Sequence, residues 1–318
     1  MTRALLIATV LLGAGCIDLE GVWFNPVELD AYTAWQAEDS AVPQDHVEWL
    51  TVESPAVGDE DAATLHGVWV KQCLTAADTS CLPSPFPWRQ RQTILYFHGN
   101  GSHIDVYWDR IEILFRLGYT LFAIDYRGYG RSTGEPSEAG LYADAQAALD
   151  HVVRRIAVER DPDVDLSAPP SANALDIIYY GYSLGSLAAV DIATRENGAS
   201  VLLEAANAGA QPFLDDGIGL GLDTSVFMDT SFDNLGKIEF VLSPKLFMHG
   251  TEDDFVRYEF AEQLYDAARD PKLLYTVEGG VHGNVPCPDK EDDEDCSAND
   301  AYKDTVGDFL DEYVGGPE

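Results

Sequence analysis

The fold is decided by Ile177-Ile178-Tyr179-Tyr180-Gly181-Tyr182-Ser183-Leu184-Gly185. A run of β-branched and aromatic residues ends in a Gly-x-Ser-x-Gly turn, and Ser186 to Thr194 beyond it are compatible with a helix. Gly-x-Ser-x-Gly alone carries little information. Between a strand and a helix it describes a sharp, strained turn that lifts the Ser hydroxyl clear of the backbone, with glycines where a Cβ would clash.

Outward from this turn, apolar strands alternate with amphipathic helices. Strands are predicted at 64–71, 93–97, 120–124, 177–180, 201–203, 245–248 and 273–277, and helices at 106–117, 139–158 and 306–313. Nearly continuous apolar strands separated by helices indicate a mostly parallel sheet covered on both faces, an α/β fold. No internal repeat divides the chain. The expected organisation is a leader over 1–15, a lead-in over 17–60 that packs onto the domain, and one catalytic domain over 61–318.

The chain has 318 residues, with 55 Asp and Glu against 19 Lys and Arg, a formal charge of -36. A surface this negative repels phosphate backbones and anionic lipid headgroups, so no nucleic-acid partner is expected. A small-molecule partner is expected to be neutral or cationic. Met1-Thr2-Arg3, the apolar run Ala4 to Leu12 and the small residues before Cys16 follow a secretory leader. The apolar run is about half the ~20 residues of a membrane-spanning helix. A Cys after small residues resembles a bacterial lipobox, with Gly13 departing from its usual Leu. An exported protein, periplasmic or at the cell surface and lipid-anchored through Cys16, is therefore expected, with plain secretion as the alternative. The other cysteines form two close pairs, Cys73 with Cys81 and Cys287 with Cys296. Disulfides suit an oxidising compartment, and neither pair has the spacing of zinc ligands. The acidic run Asp289 to Asp295 is read as a solvated loop, because it lacks the turn glycine of an EF-hand.

Chemistry-bearing motifs end the other strands. His98-Gly99-Asn100-Gly101 is a Gly-rich bend able to aim a backbone N–H toward the Leu184 N–H, and two such donors make an oxyanion hole. His98 is read as structural, as are the Asp and Arg of Asp125-Tyr126-Arg127-Gly128. A Ser hydroxyl needs a base, and an imidazole base needs a carboxylate to fix its tautomer. His249-Gly250-Thr251-Glu252-Asp253-Asp254 supplies carboxylates, and Gly279-Gly280-Val281-His282-Gly283 supplies the last His in the chain.

The runs HGNG, DYRGYGRSTG, GYSLGS, HGTEDDFV and GGVHG together resemble the α/β-hydrolase superfamily, in its small-cap serine-hydrolase branch. The resemblance covers about residue 93 to the end. It implies an α/β-hydrolase fold with a small lid, Ser183 as nucleophile, Asp253 as acid, His282 as base, and the Asn100 and Leu184 amides as oxyanion donors. Glu252, Asp254 and the more remote Glu204 remain alternatives for the acid. The implied activity is carboxylesterase- or lipase-like hydrolysis of a small-molecule acyl substrate, with peptidase or thioesterase activity open, and no metal or organic cofactor. A stretch of about 40 residues containing Phe213, Leu220 and Phe227 is read as the lid or as a pocket wall. The alternative function is a non-catalytic surface lipoprotein that uses the fold as a binding module.

Overall fold

The computed structural model describes residues 24–38, 40–73, 86–210, 232–287 and 300–315. Cys16, Cys81, Cys296, the acidic run and the central part of the expected lid lie outside them. Each of the two expected disulfides, Cys73–Cys81 and Cys287–Cys296, therefore has one cysteine outside the described residues.

Ten strands are described: β1 Asn25–Pro26, β2 Val47–Ser54, β3 Ala63–Val70, β4 Thr93–Phe97, β5 Gly101–Ser102, β6 Thr120–Ile124, β7 Ile177–Tyr182, β8 Ser200–Glu204, β9 Lys245–Gly250 and β10 Lys272–Val277. Eight form one sheet in the order β10-β9-β8-β7-β4-β6-β3-β2, while β1 and β5 pair separately in parallel. From β6 to β10 every neighbouring pair is parallel; β3 runs antiparallel to both β6 and β2. The helices are α1 Trp108–Arg116, α2 Glu138–Arg160, α3 Gly185–Arg195, α4 Asn234–Ile238, α5 Tyr258–Ala267 and α6 Asp300–Leu310.

The central strands β4, β6, β7 and β8 are buried at every position. Their alternate residues feed two cores, one on each face. Leu95, Phe97, Tyr179 and Leu203 join α2 and α3. Ile94, Tyr96, Ile178 and Leu202 join α1 and α6. Parallel strands covered on both faces must be apolar throughout, which is why they were readable as continuous runs.

Strand β2 is the main departure from the expected organisation, since it falls inside the 17–60 lead-in yet is the sheet's edge strand. Val47 and Trp49 pack against one core while Leu50 and Val52 pack against the other. The buried face changes along the strand, so no single alternating pattern runs through it. The C-terminal helix also differs: α6 begins at Asp300 and a π-helical turn covers Asp311–Gly315, against the expected 306–313.

Candidate active site

Ser183 follows β7 and has φ of 51°, a left-handed conformation for a non-glycine residue. Its N–H donates to the Glu204 carbonyl at 2.9 Å, fixing the turn to the end of β8. The flanking glycines are steric requirements. A Cβ on Gly185 would lie 2.1 Å from the Phe97 carbonyl oxygen, and one on Gly181 would lie 2.5 Å from the Gly185 oxygen. These approaches let α3 start directly over β4 and leave the Ser183 hydroxyl at the carboxyl edge of the sheet.

At that edge His282 bridges the other two expected residues. Its Nε2 lies 3.0 Å from Ser183 Oγ, and its Nδ1 lies 2.8 Å from Asp253 Oδ2. With Nδ1 protonated and donating to Asp253, Nε2 is free to accept the Ser183 proton. Ser183 and Asp253 are 4% and 5% exposed, while the His282 side chain is 21% exposed, so the imidazole is the part of the site open to solvent. Asp253 Oδ1 accepts the Phe255 and Val256 N–H groups at 2.9 and 2.8 Å, which locks the carboxylate plane. His249 Nε2 lies 3.3 Å from Asp253 Oδ2 and donates to the Val256 carbonyl. Burial alone pushes the Asp253 pKa up. Hydrogen bonds from His249, His282 and the Val256 amide outweigh it and hold the carboxyl below the usual range.

Of the alternative acids, Glu252 and Asp254 are exposed neighbours of Asp253 and neither contacts His282 among the described residues. Glu204 is fully buried, but its carboxylate is committed to Arg110 at 2.9 Å and to the Tyr180 hydroxyl. It therefore does not serve His282.

The Gly99–Ser102 bend is pinned from several sides. Asn100 Oδ1 accepts from the Asn25 N–H and the Tyr129 hydroxyl, each at 2.8 Å, and the Gly101 N–H donates to the Tyr107 oxygen at 3.0 Å. Neither the Asn100 N–H nor the Leu184 N–H is used by a backbone hydrogen bond among the described residues, so both amides are available to an oxyanion. His98 is completely buried, its Nδ1 donating to the Gly99 carbonyl and its Nε2 3.2 Å from Asp125 Oδ1. Asp125 also accepts the Ile104 N–H and the Tyr32 hydroxyl. Arg127 binds Asp144, Glu60 and Ser54. These three residues hold loops, as their sequence contexts suggested.

No local motif marks a second buried group, which lies beneath Ser183, His282 and Asp253. Arg110, on α1, donates through Nη2 to Glu204 and to the Gly283 carbonyl, both at 2.9 Å. Its guanidinium lies 4.1 Å above the Tyr182 ring, and the Tyr182 hydroxyl donates to the His282 carbonyl at 3.1 Å. Partners separated by 94 and 173 positions leave no local motif.

A mostly parallel sheet of this order, a strained Gly-x-Ser-x-Gly turn after β7 and a histidine loop after β10 are the features of an α/β-hydrolase fold. Residues 89–215 match the Hydrolase_4 family, described as Serine aminopeptidase, S33. An alpha/beta hydrolase domain-containing protein 17B of Xenopus laevis is 31% identical over 211 residues, covering 64% of this chain and 63% of its own length. An uncharacterized protein YfhR of Escherichia coli K12 is 26% identical over 238 residues, covering 73% and 74%. The chain thus spans just under two thirds of the length of the Xenopus relative, and these likenesses agree with an α/β-hydrolase fold. Among solved structures, an esterase of Pyrococcus furiosus matches with a TM-score of 0.61 at 16% identity, over 92% of this chain and 99% of that one, a likeness of fold.

Proposed function

We propose that the protein is a serine hydrolase that cleaves a carboxylic ester, thioester or amide through an acyl-enzyme on Ser183. The observation carrying this reading is the continuous contact from Ser183 Oγ through the His282 ring to Asp253 Oδ2, at 3.0 and 2.8 Å. His282 Nε2 takes the Ser183 proton as Oγ bonds to the substrate carbonyl carbon. The resulting oxyanion is held by the Asn100 and Leu184 N–H groups. Collapse of the adduct breaks the bond to the leaving group, which receives the proton from Nε2. Water then attacks the acyl-enzyme by the same route in reverse, freeing the acid and Ser183. Asp253 remains an anion throughout and stabilises the imidazolium. Every proton and charge in this cycle is handled by side chains and amides of the chain, so no metal or organic cofactor enters.

The apolar rim supports an ester-sized acyl substrate. Phe255 and Val281 are 52% and 42% exposed, and the Phe255 ring lies 5.0 Å from the His282 ring. The test is hydrolysis of p-nitrophenyl acetate and butyrate by wild type and Ser183→Ala. Wild-type turnover abolished by the substitution supports the proposal; equal rates, or no turnover of any short ester, thioester or amide by the wild type, contradict it.

Export and lipid anchoring are part of the same proposal, resting on the leader pattern and Cys16. Incorporation of a clickable fatty acid by the full chain, lost in Cys16→Ala, is the expected outcome. Equal incorporation by both contradicts it.

A further inference from the structure

His282 stands on a short turn, outside any strand or helix. The Val281 N–H donates to Asn284 Oδ1 at 2.7 Å, and the Asn284 N–H donates back to the Val281 carbonyl at 3.3 Å. Val281 and Gly283 are exposed, and a Cβ placed on Gly283 would meet nothing within 4 Å. A glycine directly after the base is a conformationally permissive joint. General-base catalysis, in contrast, requires the imidazole within hydrogen-bond reach of the nucleophile, and small misplacements are costly.

The inner side of the turn is where the restraint lies. Two consecutive carbonyls, those of His282 and Gly283, are each taken by a buried donor: the Tyr182 hydroxyl at 3.1 Å and Arg110 Nη2 at 2.9 Å. Fixing both peptide planes around Gly283 removes its freedom. The two donors also act as one body, because the Arg110 guanidinium rests on the Tyr182 ring at 4.1 Å. Arg110 is itself held by Glu204, whose Oε2 accepts the Tyr180 hydroxyl, and Tyr180 lies 2.9 Å from the Tyr302 hydroxyl of α6. A buried ion pair is weak evidence for stability. This one links α1, β7, β8 and α6 to the loop that bears the base.

We infer that Arg110, clamped by Glu204, is a positioning residue that sets the His282 imidazole against Ser183 through the Gly283 carbonyl and Tyr182. The inference rests on the triad reading given above. The planar fork of arginine spans Glu204 and Gly283 at once, while a lysine ammonium at 110 keeps the charge but not the span.

The test compares wild type with Arg110→Lys, with Arg110→Met/Glu204→Leu, which replaces the ion pair by apolar groups of similar size, and with Tyr182→Phe. Three quantities are read: kcat and KM on p-nitrophenyl acetate, the rate of fluorophosphonate modification per folded molecule, and the downfield proton resonance of the His282 Nδ1–H. The Arg110 variants are expected to lose about 10- to 100-fold in kcat and in modification rate with KM within about threefold. Their downfield resonance should broaden or shift. Unchanged kcat and resonance in a folded Arg110 variant overturn the inference while leaving the triad intact. A wild type that no fluorophosphonate modifies overturns the functional reading and this inference with it. If neither Arg110 variant folds, Tyr182→Phe decides, since it removes only one hydroxyl: a several-fold loss with an altered resonance supports the inference, and wild-type behaviour overturns it.

Discussion

Asp253→Asn removes one charge and changes almost no volume, yet the geometry makes it severe. Asp253 Oδ1 accepts the Phe255 and Val256 N–H groups at 2.9 and 2.8 Å. An asparagine satisfies those two donors only by keeping its carbonyl oxygen there. Its NH2 group is then turned to the position of Oδ2, 2.8 Å from His282 Nδ1. A donor facing Nδ1 selects the tautomer with the proton on Nε2, which cannot accept the Ser183 proton and also loses the anion that stabilises the imidazolium. By analogy with serine proteases the cost is about 10⁴ in kcat, or about 5.5 kcal/mol at 1.36 kcal/mol per decade. The wild-type carboxyl titrates below the usual range, so the carboxylate's contribution is fully present above a free Asp pKa of about 3.9 and is lost only as pH falls through the lower folded value. The defect should accordingly appear undiminished at neutral pH. Ester hydrolysis by purified Asp253→Asn at pH 7, checked for native folding by circular dichroism, measures it. A variant retaining more than about a tenth of wild-type kcat would refute the tautomer argument and Asp253 as the acid.

Three further outcomes are expected. Ser183→Gly abolishes turnover but relieves the positive φ at the elbow, an effect of about 1 kcal/mol that should raise the melting temperature by roughly 2 °C; a lower melting temperature argues against a strained turn. Gly185→Ala drives a methyl to 2.1 Å from the Phe97 carbonyl oxygen, so the purified variant should lose at least several kcal/mol in urea titration, and wild-type stability would contradict the close packing of α3 on β4. Lys245 is fully buried with its ammonium donating to the Val241 and Ser243 carbonyls, and burial lowers its pKa to about 8. A folded pKa below the unfolded one means that its contribution improves as pH rises from 8 toward 10.5 and worsens as pH falls through 8. The stability of wild type relative to Lys245→Met should therefore increase between pH 7 and 10, and a flat difference would contradict the shift.

The central strands were legible because burial on both faces writes itself into sequence as continuous apolar runs: β4 and β6 match the expected bounds, and β7 and β8 extend them by one or two residues. That Ser183, His282 and Asp253 meet was legible for a different reason. Each closes a strand with its own glycine-rich signature, and the topology then gathers those strand ends at one edge. Strand β2 was not legible, because Val47 and Trp49 face one core and Leu50 and Val52 the other. Nor was Arg110, a basic residue in an amphipathic helix whose partners come from β8 and the histidine loop. Such contacts exist only in three dimensions. The formal charge of -36 bears on solubility and partners and played no part in locating either.

The proposed reaction depends on Ser183 being a nucleophile activated by His282. Treating the full chain with a fluorophosphonate probe and mapping the adduct by peptide mass spectrometry tests this role at the reacting atom. One equivalent of probe is expected on the peptide carrying Ser183, with no adduct in Ser183→Ala or His282→Ala. An adduct on another residue, or equal labelling of wild type and Ser183→Ala, would contradict it.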